Sequence, residues 1–155
     1  MERKTQVHAE DGKQELTITR AFDLPVELLF RAYSEAHLVE QWMGTKVLHL
    51  ESKRHGSYEF ETSNPEGTVV FRAHGVLHAY EQDRKIVRTF EMDNAPFGPQ
   101  IEFLEFEKLT DDTSKLTIQI VYRSVALRDQ MLKLPFAQGI NMAHNCLQEI
   151  VKTLK

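Results

Sequence analysis

The sequence predicts an α+β fold in which a curved antiparallel sheet wraps one long C-terminal helix, with two short helices after the first strand. Three observations carry this reading. Between residues 46 and 122, apolar and polar side chains alternate in successive runs separated by turn residues, the pattern of strands with one dry and one wet face. From Phe136 the apolar positions Ile140, Ala143, Leu147, Ile150 and Leu154 follow at steps of 4, 3, 4, 3 and 4, which is the stripe of an amphipathic helix. Between Pro25 and Gly44 two shorter helical patterns interrupt the strands.

Residues 13–24 open the fold as a strand, with Leu16 and Ile18 among Thr17, Thr19 and Arg20. Asp23 is a capping residue and Pro25 a first-turn residue for a helix carrying Leu28, Leu29, Ala32 and Tyr33. Ser34 is placed to cap a second helix with Leu38, Val39 and Trp42 on one side, closed by Gly44. Strands follow at 46–52 and 56–62, then the turn Asn64-Pro65-Glu66-Gly67. The run 68–81 alternates most clearly. One face carries Val69, Phe71, Ala73, Gly75, Leu77 and Ala79; the other, assigned to solvent, carries Val70, Arg72, His74, Val76, His78 and Tyr80. Strands at 85–92 and 101–109 flank a loop at 93–100 that contains Pro96, Gly98 and Pro99 and is a candidate gate. Leu116, Ile118, Ile120 and Tyr122 mark the last strand, and Pro135 separates a segment at 126–134 from the final helix.

At 155 residues the chain reads as a single domain, 1–155. Hydrophobic residues make up 41% and charged residues 27%, which fits a globular chain and not a disordered one. The net charge of −4 gives no footprint for nucleic acid as a partner. One cysteine, Cys146, excludes an internal disulfide and a multi-cysteine zinc site. Neither a signal-like apolar N-terminus nor a membrane-length apolar run is present, so a cytoplasmic location is expected.

A set of short segments runs through nearly the whole chain. The stretch Phe22-Asp23-Leu24-Pro25-Val26-Glu27-Leu28-Leu29-Phe30-Arg31-Ala32-Tyr33 is followed by His37-Leu38 and Gln41-Trp42-Met43-Gly44. Then come Arg54-His55-Gly56-Ser57-Tyr58-Glu59-Phe60, Gly75, Tyr80 and Ile86-Val87-Arg88-Thr89-Phe90. Arg128-Asp129, Leu132, Phe136 and Gly139 complete the series. In this order and spacing the chain resembles the START/Bet v 1-like (SRPBCC) superfamily, and within it the heat-shock-protein-90 ATPase activator homologue-like family. The resemblance implies a helix-grip fold with a ligand-accessible cavity between the sheet and the last helix. Two departures fall on the cavity side of that helix: Ile140 stands where relatives commonly carry Trp, and His144 where they carry Leu. They imply a pocket of altered shape with one polar group. The separate N-terminal domain of the eukaryotic co-chaperones has no counterpart here, so chaperone activation is not carried over.

No nucleophile elbow, phosphate loop, dinucleotide fingerprint or His-Glu-x-x-His occurs. His74 and His78 lie about 13 Å apart along one strand, too far to share a metal, and neither a metal nor a cofactor is expected. His144 reads either as a satisfied core histidine or as a hydrogen-bond partner for a ligand. A catalytic base is the weakest reading, because positions 140, 141, 147 and 148 offer it no carboxylate. Cavity candidates are Trp42, Phe60, Phe71, Leu77, Phe90, Phe103, Ile118, Ile120 and Ile140, with Arg88, Glu105 and His144 as polar anchors. Core and pocket residues share one composition. The first functional expectation is non-covalent binding of a small hydrophobic or amphipathic, lipid-like ligand. Two alternatives stand beside it: a cyclase- or hydrolase-type enzyme using the same cavity, and a chaperone-associated module that binds a protein partner.

Overall fold

A computed structural model describes residues 3–155. Its strands are β1 (Gln6–His8), β2 (Glu15–Phe22), β3 (Lys46–Leu50), β4 (Ser57–Ser63), β5 (Val69–Glu81), β6 (Lys85–Met92), β7 (Gln100–Lys108) and β8 (Ser114–Val121). The helices are α1 (Val26–Ser34), α2 (Ala36–Met43), α3 (Val125–Lys133) and α4 (Phe136–Val151). The strands form one antiparallel sheet in the order β1-β2-β8-β7-β6-β5-β4-β3. The expected helix-grip architecture is therefore present, with one added strand. β1 pairs to the edge through Val7 opposite Ile18; three residues are too few for a period to be read.

The inner sheet face is built by strict alternation. Leu16, Ile18, Arg20 and Phe22 on β2, and Ser114, Leu116, Ile118 and Ile120 on β8, are all buried. β5 departs from the expected alternation at its end. Its register with β6 slips between Leu77 and Ala79, a bulge that moves later side chains to the opposite face. Tyr80, assigned to solvent on parity, therefore turns inward and meets the Phe30 ring edge-on at 5.4 Å. On the other side of β5, in the β4–β5 ladder, Gly75 lies opposite Tyr58. A β-carbon there would stand 2.0 Å from the Thr89 carbonyl oxygen and 2.6 Å from the Tyr58 hydroxyl, so only glycine lets that ring lie across the strand.

The helices hold their places by buried faces more than by caps. Asp23 does not cap α1; its carboxylate pairs with Arg3 at 2.9 Å. Ser34 ends α1, and Glu35 joins the two helices without a side-chain cap. Gly44 closes α2 in the left-handed conformation at φ 63°, as expected for a C-terminal glycine. Ser124 caps α3 by accepting the Leu127 N–H at 3.1 Å, and Pro135 separates α3 from α4. His144, Leu147 and Val151 bury the second half of α4, whereas Met142 is 62% exposed. Phe136, Ile140 and Ala143 in the first half remain half-buried. No helix of the described residues is long and apolar enough to cross a membrane.

Candidate functional site

Beneath the first half of α4 lies a cavity of about 280 Å³. Its apolar floor comes from the inner sheet face: Ile18 on β2, Phe90 and Met92 on β6, Ile118 and Ile120 on β8. Trp42 and Met43 at the end of α2, Met131 on α3, and Phe136, Ile140 and Ala143 on α4 close the other side. The rest of the wall is polar: Tyr33, Arg88, Gln100, Glu102 and Tyr122.

The polar groups are not scattered. Arg88 on β6 and Glu102 on β7 are direct cross-strand partners. The Arg88 Nε donates to a Glu102 oxygen at 2.8 Å, with the two side chains only 13% and 9% exposed. The second Glu102 oxygen accepts from the Gln100 amide at 2.8 Å. The guanidinium also lies 5.4 Å from the Tyr58 ring centre and 5.9 Å from that of Tyr33, a cation–π arrangement. Burial alone would lower the Arg88 pKa, but the Glu102 charge and the two tyrosines outweigh it, so the group stays charged. Tyr122, just past β8, is 4% exposed, and its hydroxyl has no hydrogen-bond partner among the described residues. Burial, then the charge of Glu102, raises its pKa, so it stays a proton donor.

A second buried polar group sits behind Tyr33. The His144 Nε2 shares a 2.9 Å hydrogen bond with the Tyr33 hydroxyl, and Nδ1 one of 2.8 Å with the Thr5 hydroxyl. Its residue is fully buried. Burial, and secondarily the nearby Arg20 charge, push the imidazole pKa down to about 3. Both ring nitrogens are committed and the ring stays neutral, so His144 positions Tyr33 and has no free nitrogen to serve as a base. Trp42 is fixed in the same way, donating its Nε1–H to the Ala32 carbonyl at 2.7 Å.

Of the sequence candidates, Trp42, Arg88, Phe90, Ile118, Ile120 and Ile140 line this cavity. Phe60 and Leu77 are buried in the adjoining core, where Phe60 packs on Tyr58. Phe71 is half-buried near the outer end of β5. His144 lies one layer behind the cavity wall. Phe103 and Glu105 are corrected: they are exposed on the outer face of β7, because Gln100, Glu102, Leu104 and Phe106 take the inner one. Tyr33, Gln100 and Glu102 were missed as lining residues, whereas Tyr122, a polar candidate for the enzyme reading, does line the cavity. For Glu102 a signal existed, since it shares parity with Leu104 and Phe106. Among the described residues no three His, Cys, Asp or Glu side chains gather as a metal site would need.

A long C-terminal helix gripped by an antiparallel sheet over a lined cavity defines a helix-grip domain of the SRPBCC type. The family model described as activator of Hsp90 ATPase homolog 1-like protein matches residues 23–152, and the chain belongs to that family. Among curated proteins, none matches the sequence. Solved structures share the fold at low identity. Protein Ms6760 from Mycobacterium smegmatis superposes with a TM-score of 0.83 at 18% identity, covering 95% of this chain and 96% of its own. A Rhodobacter sphaeroides protein gives 0.86 at 17%, with 97% and 99% covered. One from Arthrobacter aurescens gives 0.84 at 16%, with 96% and 91% covered.

Proposed function

We propose that the chain binds a small hydrophobic or amphipathic molecule, without covalent chemistry, in the cavity between the sheet and α4. The observation that carries this is the composition of the wall. Apolar side chains from six elements surround a space of about 280 Å³, and its wall also bears a charge pair and a buried tyrosine hydroxyl with no partner among the described residues. Ligand sites combine an apolar lining with a few placed polar groups in this way, at volumes from about 300 Å³ upward. In a core built only for stability, both a space and an unpaired buried hydroxyl carry a cost.

The test is uptake of benzene, which enters apolar cavities of this kind, followed by amide chemical shifts. Residues on β6, β8 and α4 should shift saturably in the wild-type protein. Ile140→Trp, which drives an indole into the space, should abolish the shifts while the protein stays folded. Absence of saturable shifts in the wild-type protein would refute the binding reading.

A further inference from the structure

We infer that the cavity selects a compact, electrically neutral molecule whose one polar group is a hydrogen-bond-accepting oxygen, a carbonyl, held by the Tyr122 hydroxyl. The inference rests on the binding reading above and deepens it by excluding carboxylates and amines.

Most polar groups on the wall already have a partner. The Tyr33 hydroxyl is committed to His144 and the Trp42 indole N–H to Ala32. The Gln100 amide and the Arg88 Nε both donate to Glu102. The Tyr122 hydroxyl is the buried donor left with no partner among the described residues. Tyr122 lies two residues beyond Ile120, the β8 partner of Glu102, and lines the cavity. A ligand oxygen in the cavity would accept a hydrogen bond from it.

Charge then decides which oxygen. Among the described residues, Arg88 and Glu102 are the only charged side chains on the wall, and they cancel. A carboxylate would leave a buried net negative charge beside Glu102, and an ammonium a net positive one beside Arg88. Either is costly away from water. A carbonyl adds no charge and accepts from the Tyr122 hydroxyl. Size narrows the class further. A space of about 280 Å³ lies at the small end of ligand pockets, which start near about 300 Å³, and suits a compact ligand such as a ring with a short substituent.

Three probes of similar shape separate the alternatives: acetophenone, benzoate and ethylbenzene, each titrated by amide shifts into the wild-type protein and Tyr122→Phe. Acetophenone should bind about five- to tenfold more tightly than either of the others, as one hydrogen bond would give over ethylbenzene. Tyr122→Phe should keep ethylbenzene binding, which also shows it folded, and lose most of the preference for acetophenone. Equal binding of ethylbenzene and acetophenone, or benzoate binding as tightly as acetophenone, overturns the inference and leaves the binding reading standing. A preference for acetophenone that survives Tyr122→Phe overturns the assignment to Tyr122. Failure of all three probes on the wild-type protein removes the binding reading itself.

Discussion

Cutting one half of the Arg88–Glu102 pair should cost far more than removing both. The Nε–oxygen distance is 2.8 Å and the side chains are 13% and 9% exposed, so neither charge has much water to fall back on. Removing one partner of a buried pair typically costs about 3–5 kcal/mol, whereas replacing both with apolar groups of similar volume is near neutral. Both groups border a cavity, which places the single variants near the lower end. Glu102→Leu should therefore lose about 3 kcal/mol, because the guanidinium keeps its rings at 5.4 and 5.9 Å but no carboxylate. Arg88→Met should lose about as much, with Glu102 left to the Gln100 amide. The double variant Arg88→Met/Glu102→Leu should lose about 1 kcal/mol, giving a coupling of several kcal/mol. In a chain of this length each kcal/mol moves the melting temperature by about 2–4 °C. Urea unfolding of the four proteins measures the cycle. Single variants within 1 kcal/mol of wild type, or a double variant equal to their sum, would refute the buried-pair reasoning.

Gly75→Ala should destabilise the fold by about 3 kcal/mol or more, because its methyl would meet a backbone oxygen at 2.0 Å. A melting temperature within 2 °C of wild type, at roughly the resolution of one kcal/mol, would mean that the β5–β6 ladder yields there. The other expectation concerns acid. The folded pKa of His144, about 3, is below the ordinary 6.5, so the unfolded chain binds the proton first. The stability from keeping this ring neutral is complete above about pH 6.5 and is lost as pH falls from there towards 3, by at most about 1.4 kcal/mol per unit. Urea midpoints at pH 7, 6 and 5 should fall more steeply for wild type than for His144→Leu; equal slopes would show that the ring protonates in place.

Residues whose partners are local, or whose strand has one plainly apolar face, were legible in the sequence. Arg88 shares parity with Ile86, Phe90 and Met92, and it does lie on the inner face. β7 gives guidance in both directions, because Ile101 and Phe103 make its outer face as apolar as Leu104 and Phe106, which share parity with Glu102, make its inner one. Parity alone offered Glu105 as the polar anchor, and only register settles the matter. Ile118 and Ile120 lie opposite Leu104 and Glu102, which puts Glu102 inside with Arg88 across from it. The bulge after Leu77 hides Tyr80 for the same reason, since one slipped residue reverses every face beyond it. His144 stood out as a departure on α4, yet its partners Tyr33 and Thr5 are 111 and 139 residues away. A buried arginine needs a carboxylate, so the question left open by β6 was which strand supplies it. Cross-strand pairing answered with a glutamate that its own strand made look solvated. Polar sites inside a sheet are for this reason harder to read than the core around them: their apolar neighbours announce a face, but the charge reads as surface until its opposite number is known.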